Sequence, residues 1–157
     1  MITMITGDIN CGKTTAFIEI YKKNRRGDGF ALPKFFISGK PAGQNIMRLS
    51  TAEQKIFSFT DGFEYKRQSV SFRYKNYHFT ETGLTFAYEI ADEIMKKNIN
   101  PVYIDEIGPV EIMKKGFYPV ILSMLDLKRD LFLVVRSSCY NDVVNLFQIT
   151  PDHIIAL

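Results

Sequence analysis

The octet Gly7-Asp8-Ile9-Asn10-Cys11-Gly12-Lys13-Thr14 contains the residue types that bind phosphate. It fits the pattern G-x-x-x-x-G-K-[ST], in which the glycines let the backbone wrap closely around phosphate oxygens. Successive backbone N–H groups then form an anion-binding nest, and a helix beginning near Lys13 directs its positive end to the same place. The apolar residues before the octet predict a strand, so the motif lies in the strand-to-helix context that it requires.

Two side chains of this phosphate loop have separate predicted tasks. Lys13 would supply a cation to the β- and γ-phosphates, and the Thr14 hydroxyl would bind Mg²⁺. We expect the nucleotide to be bound by the whole run Gly7, Asp8, Ile9, Asn10, Cys11, Gly12, Lys13, Thr14 and Thr15. The loop therefore predicts a nucleotide phosphate site and leaves the reaction open.

A second short stretch, at 102–105, is mostly apolar and predicts a strand. It ends at Asp105, and a second carboxylate, Glu106, follows directly. In enzymes with a phosphate loop, a second strand next to the loop directs an aspartate to the metal, so Asp105 is a predicted metal residue with Thr14. Because side chains alternate along a strand, we expect Glu106 to point differently and to reach a water in line with the γ-phosphate. Glu106 is thus predicted to be catalytic, together with Lys13, as the base or orienter of that water.

Polar residues follow a further apolar stretch at 131–135. If that strand neighbours the loop strand, Arg136 or Ser137 could sense the γ-phosphate, and Arg136 could act as a cation on the transition state. Polar residues at a strand end also commonly face solvent only, so the sequence leaves this assignment open.

The elements that must position these residues alternate between strand and helix outside the middle of the chain. Apolar spacing predicts helices at 14–23, 80–97, 119–127 and 142–147, and strands at 102–105, 131–135 and 153–157. This order predicts an α/β fold of three layers, with a mainly parallel sheet between helices on both faces.

The middle of the chain, from about residue 29 to residue 79, has a different pattern. Aromatic and β-branched residues alternate with polar ones, for example at 57–59, 63–65 and 70–74, and predict an inserted antiparallel β-rich segment. No linker-like segment bounds this insertion, so residues 1–157 are expected to form a single domain.

The composition limits the classes of binding partner and the cellular compartment that we expect. The 157 residues include 20 basic and 17 acidic side chains, and the net charge of +3 is too small to indicate a nucleic acid or a membrane. No apolar run approaches the roughly 20 residues that span a bilayer, and no signal peptide is apparent. A free cysteine in the phosphate loop, Cys11, is typical of a reducing compartment, so we expect a cytoplasmic protein.

Basic and aromatic residues interleave within the insertion. Lys66, Arg67, Arg73 and Lys75 lie among aromatic residues that could stack on single-stranded nucleic acid. A hairpin protected by charge from edge pairing is the simpler interpretation, so no nucleic acid partner is expected.

The loop GDINCGKTT, the strand-rich stretch opened by Gly29-Phe30, and YIDEIGPVEI at 103–112 resemble, in that order, the THEP1-type nucleoside triphosphatases. The resemblance implies a P-loop NTPase fold, akin to the RecA-like and AAA-like ATPases, and Mg²⁺-dependent hydrolysis of ATP, GTP and related triphosphates to the diphosphate. It assigns phosphate and metal binding to Gly7, Gly12, Lys13 and Thr14, the metal to Asp105 and the water to Glu106. Glu111 matches the last acid of the family's second motif, without an assigned role.

Two other functions stay open on the sequence. A nucleotide or small-molecule kinase would share the phosphate loop, although no long arginine-rich lid that would exclude water is apparent. A nucleotide-binding adaptor with little turnover would use the insertion as a docking surface for a protein partner.

Overall fold

The computed structural model of the chain describes residues 1–63 and 68–157. The strands in these residues are β1 (Ile2–Gly7), β2 (Asp28–Ala31), β3 (Lys34–Ile37), β4 (Lys40–Arg48), β5 (Gln54–Thr60), β6 (Val70–Tyr74), β7 (Tyr77–Thr80), β8 (Val102–Ile107), β9 (Leu131–Arg136) and β10 (His153–Ala156). The helices are α1 (Lys13–Asn24), α2 (Glu81–Lys96), α3 (Pro109–Ile112), α4 (Tyr118–Asp126) and α5 (Tyr140–Phe147), and a 3₁₀ turn covers Ser137–Cys139.

These strands form one continuous sheet in the order β10-β1-β9-β8-β2-β4-β5-β7-β6, with β3 paired to β4. The neighbours from β10 to β2 are parallel, and the pairs from β2·β4 outward are antiparallel. The predicted mixed α/β sheet is therefore confirmed. The expectation that residues from 29 onward form only antiparallel strands is wrong for β2, because the crossover through α1 brings β2 parallel to β8.

The loop strand β1 and the carboxylate strand β8 are not neighbours. Strand β9 lies between them and pairs in parallel with both. Asp105 was expected on a strand next to the loop, and it reaches the loop from β8, one strand further away than β9.

Hydrophobic residues fill the space on both faces of the sheet. The smaller cluster packs Phe17 of α1 against Ile5, Tyr103 and Val134. The larger cluster joins α2, α4 and α5 to the opposite face of the same strands, where it includes Met4 and Ile104. Alternate residues of β1 and β8 thus enter different clusters, and the result is the predicted three-layer arrangement.

Helix α2 shows how local sequence sets an element. The Thr80 hydroxyl accepts a hydrogen bond from the Gly83 backbone N–H at 2.9 Å and caps the helix. A Cβ on Gly83 would lie 2.6 Å from the Cα of Phe57, so only glycine lets α2 approach β5 this closely. The helix buries the predicted stripe that includes Leu84, Ile90 and Ile94.

Several predicted boundaries differ from those in the structure. The short helix α3 had no prediction, because its four residues are too few to show periodicity. Phe63 lies outside any strand, contrary to the predicted strand at 63–65. Tyr65, Lys66 and Arg67 lie outside the described residues.

Candidate active site

The phosphate loop connects β1 to α1 and has the backbone that its glycines predict. Gly12 has φ of +90° and precedes the first residue of α1, and Asn10 also has a positive φ of 66°. A Cβ on Gly7 would lie 2.6 Å from Cys11 Sγ, so the loop closes tightly on its own first residue. The free N–H groups at the start of α1 therefore face the region into which the loop curls.

The side chain of Lys13 folds back across this loop. Its Nζ donates to the Asp8 carbonyl and lies 3.8 Å from Cys11 Sγ. Ser137 donates from its hydroxyl to the Asp8 carboxylate, and Lys34 of β3 donates to the Asn10 side chain. The loop is thus held from two sides, by the end of β9 and by the inserted strands.

Asp105 is fully buried at the cleft end of β8. One carboxylate oxygen accepts from the Leu32 backbone N–H at 2.9 Å, and the other oxygen, Oδ1, has no hydrogen-bond partner among the described residues. Burial raises the pKa of Asp105 to about 6, against the opposing effects of the Leu32 N–H and the nearby Thr14 hydroxyl. The structure therefore brings Thr14 and Asp105 together around an oxygen that is open to a cation or to a water.

Glu106 is oriented by an irregular backbone. Its φ of 57° is left-handed, and the pairing of β8 with β9 shifts register between Ile104 and Ile107. Asp105 and Glu106 were expected to point differently within one site, and both side chains line the same cleft. A bulge, and not the regular alternation of a strand, sets the direction of Glu106. The Glu106 carboxylate accepts from Arg136 at 2.9 Å and from the side-chain amide of Gln44.

Arg136 and Ser137 lie where the condition for γ-phosphate sensing is met. Strand β9 pairs with β1, and Arg136 is the register partner of Gly7. Arg136 lines the cleft, whereas Ser137 contacts the loop through Asp8. Both residues therefore adjoin the phosphate loop.

The cleft has a volume of about 580 Å³. The phosphate loop, β8 and β9 form one side of it, and the insertion supplies the other through Lys34, Phe36, Pro41 and Gln44. Clefts of this size accommodate ligands as large as a nucleotide.

Comparison with known proteins agrees with this geometry. A family model described as NTPase matches residues 2–156, which is nearly the whole chain. The chain belongs to this family of NTPases. The NTPase is similar, at 27% identity over 139 residues, to the nucleoside-triphosphatase THEP1 of Thermotoga petrophila, and the match covers 88% of this chain and 73% of that protein.

Solved structures show the same fold. The crystal structure of THEP1 from the hyperthermophile Aquifex aeolicus has a TM-score of 0.72 at 21% identity and covers 100% of this chain and 88% of that one. The solution structure of a human cancer-related nucleoside triphosphatase has a TM-score of 0.64 at 20% identity and covers 99% of this chain and 87% of that one. The predicted P-loop NTPase fold of this family member is therefore confirmed.

Glu111, which had no assigned role, holds two backbone segments together next to the candidate site. Its buried carboxylate accepts from the backbone N–H groups of Gly108 at 2.9 Å and Phe117 at 3.1 Å. Burial raises its pKa to about 7, although these two N–H groups oppose the shift. Glu111 fixes the path of the chain from β8 through α3 to α4.

No sequence motif indicates the residues that the insertion brings to the cleft. Gln44 and Lys34 sit in strands with no motif, and they become neighbours of the site only because β3 and β4 pair at this position. Arg73, which the sequence placed in a basic and aromatic stretch, is instead paired with Asp61 at 2.8 Å. No helix within residues 1–63 and 68–157 of this NTPase has both the length and the hydropathy to cross a bilayer.

Proposed function

We propose that this chain hydrolyses ATP, GTP and related nucleoside triphosphates to the diphosphate and phosphate, with Mg²⁺ as cofactor. The observation that carries the proposal is the convergence of Lys13, Thr14, Asp105 and Glu106 on one cleft. Membership of the NTPase family and the names of its THEP1 relatives support the same reaction.

The loop and Lys13 would bind and neutralise the phosphates. Phosphoryl transfer depends mainly on positioning and on stabilising charge that spreads over the phosphate oxygens. The N–H groups at the start of α1 are fixed in place, and the flexible Lys13 ammonium can leave the Asp8 carbonyl for a β- or γ-phosphate oxygen. The loop residues 7–15 are therefore our proposed nucleotide-binding residues.

The residues near Thr14 fit a magnesium ion. Mg²⁺ prefers oxygen ligands and is usually held by one or two carboxylates together with substrate phosphates and waters. The Thr14 hydroxyl and the unpartnered Asp105 Oδ1 provide such oxygens beside the loop. When bound, the ion would neutralise charge on the phosphate oxygens.

Glu106 is our proposed catalytic carboxylate. Its side chain is only 24% exposed, and it lines the cleft beside Asp105. It would orient the attacking water and accept its proton. Arg136, which is paired with Glu106, could turn to the γ-phosphate. Ser137 would sense the γ-phosphate through its hydrogen bond to Asp8 in the loop.

The proposal includes a reducing, cytoplasmic setting. Cys11 is an exposed free thiol in the phosphate loop, and such thiols persist where disulfides are kept reduced.

A screen of the purified full chain against ATP, GTP, CTP and UTP tests the function. Free phosphate should appear with Mg²⁺ and should stop when EDTA removes the metal. Candidate phosphate acceptors added to the same mixtures test whether the protein is a kinase. If more phosphorylated acceptor than free phosphate forms, the protein is a kinase. Tight triphosphate binding without phosphate release would instead indicate an adaptor.

A further inference from the structure

Gln44 connects the β-rich insertion to the proposed catalytic carboxylate. Its side-chain Nε2 donates to Glu106 Oε2, while Arg136 donates to the other carboxylate oxygen at 2.9 Å. Each oxygen of Glu106 therefore has its own donor, from a different strand. Two such donors fix both the position and the rotation of a carboxylate, whereas one donor leaves it free to turn.

The other end of the Gln44 amide is fixed as well. Its oxygen accepts from the Ser58 hydroxyl at 3.4 Å, and Ser58 is fully buried in β5. An ionised carboxylate only accepts hydrogen bonds, so the amide must present its NH₂ group to Glu106 and its oxygen to Ser58. The chain Ser58–Gln44–Glu106 thus has one consistent direction of donation.

The backbone on both sides is shaped for this contact. Strand β4 has a register shift against β5 between Gln44 and Asn45, and β8 has one around Glu106. Bulges of this kind redirect a side chain out of the regular alternation of a strand. Two irregularities in different parts of the sheet therefore meet at a single hydrogen bond.

We infer that Gln44 is a positioning residue for hydrolysis, which holds Glu106 in the orientation that aligns the attacking water. This inference rests on the catalytic role proposed for Glu106. Gln44 lines the cleft, but its described hydrogen bonds go to Glu106 and Ser58 and not to the phosphate loop, so its effect should fall mainly on turnover. The insertion would then contribute a positioning residue to the active site and also form one wall of the cleft.

The first test is Gln44→Met, which keeps the length of the side chain and removes its donor. We expect kcat to fall by roughly 10- to 100-fold, because small displacements of a catalytic group have effects of this size. KM should stay within about threefold, since ground-state binding is not altered. Asn45→Ala is the matched control, because this neighbouring amide bonds to Gln54 at 3.0 Å and leaves Glu106 untouched.

A second variant guards against a folding defect. Gln44→Glu keeps the size of the side chain and places a second carboxylate against Glu106, so kcat should fall again. A thermal melt of each variant shows whether it is folded. Wild-type kcat in a folded Gln44→Met or Gln44→Glu protein would overturn the inference.

A double-mutant comparison separates positioning from a general structural effect. In a Glu106→Gln background, adding Gln44→Met should cause no further loss of turnover, because both changes act on one carboxylate. An equal loss in both backgrounds would overturn the inference and leave the proposed function intact. Normal turnover by Glu106→Gln alone would instead contradict the catalytic role proposed for Glu106, and the role of Gln44 with it, while triphosphate hydrolysis itself would stand.

Discussion

Asp105 places a buried carboxylate next to the phosphate loop. Its carboxylate is fully buried, and Oδ1 has no hydrogen-bond partner in the part of the chain that the structure describes. Burial disfavours the charged form and raises the pKa to about 6, although the Leu32 N–H and the Thr14 hydroxyl oppose the shift. A cation at the Thr14 hydroxyl would remove this cost, so the site would gain stability when it binds its ligand.

Lys13→Ala should abolish phosphate release and weaken triphosphate binding. The variant removes the mobile cation of the loop, and loss of a single stabilising donor typically lowers turnover by roughly 100-fold or more. Phosphate release and fluorescent-nucleotide titration measure the two effects. Lys22→Ala is a suitable control, because it removes the same charge from the exposed face of α1, where Lys22 pairs with Glu19. Equal activity in both variants would contradict the role of Lys13.

Glu106→Gln should bind triphosphate normally and lose hydrolysis. The amide keeps the size of the side chain but cannot accept the proton of the water, and general-base catalysis contributes about 100-fold or more. Binding and single-turnover phosphate release, measured on the same sample, separate the two steps. Glu53→Gln, at an exposed surface pair with Lys55, provides the control. Normal turnover by Glu106→Gln would show that another group activates the water.

A polar cluster around the buried Asp28 joins β2, β4 and α2 at the end of the sheet away from the cleft, where Asp28 is the register partner of Val102. Asp28 accepts from the Ser50 hydroxyl at 2.8 Å and pairs with Arg48 at 2.7 Å. Arg48 also pairs with Glu93 of α2. The cluster fastens the first antiparallel strand to the parallel part of the sheet.

Asp28→Ala should therefore destabilise the protein. It removes the buried partner of Arg48 and leaves that guanidinium paired only with Glu93, and loss of one partner from a buried hydrogen-bonded pair costs about 1–3 kcal/mol. Chemical denaturation measures the change in the free energy of unfolding. Asp92→Ala, which removes an exposed pair with Lys96 on α2, should leave stability close to that of the wild type. Similar stability in the two variants would contradict the role of the cluster.

The elements that the sequence predicted well have strong local signals. The phosphate loop needs its glycines at fixed positions, and α2 has a long apolar stripe, so Gly12 and Leu84 lie where they were expected. The conformation of Glu106 had no such signal, because a positive φ in a charged residue results from the surrounding strands. The placement of β9 between β1 and β8 likewise depends on pairing between distant parts of the chain.

Gln44 shows the same limit within the candidate site. Its sequence neighbourhood has no motif, and it contacts Glu106 across 62 positions of the chain. Thr14 and Asp105 could be found because each belongs to a motif. Lys34 of β3 and Gln44 of β4, which contact Asn10 and Glu106, belong to no motif, and only the tertiary structure shows that they lie at the site.

The insertion and the parallel strands share one sheet. We therefore propose that residues 1–157 form a single domain. A single domain should unfold in one cooperative transition. The larger hydrophobic cluster runs from Ile104 in the parallel half to Phe57 and Phe79 in the insertion, so the two halves share this core. Far-UV and near-UV circular dichroism should give coincident denaturation curves. Two separated transitions would show that the halves unfold independently.

The left-handed backbone of Glu106 bears on any attempt to improve this protein by laboratory evolution. Such a conformation costs a side-chain-bearing residue about 1–2 kcal/mol, and glycine or asparagine adopts it more easily. A library screened for heat resistance alone would then favour replacements at this position that remove the carboxylate that we propose to be catalytic. Selection for thermal stability would favour glycine or asparagine at residue 106, whereas selection for turnover would keep glutamate. A library should therefore be selected for stability and turnover together.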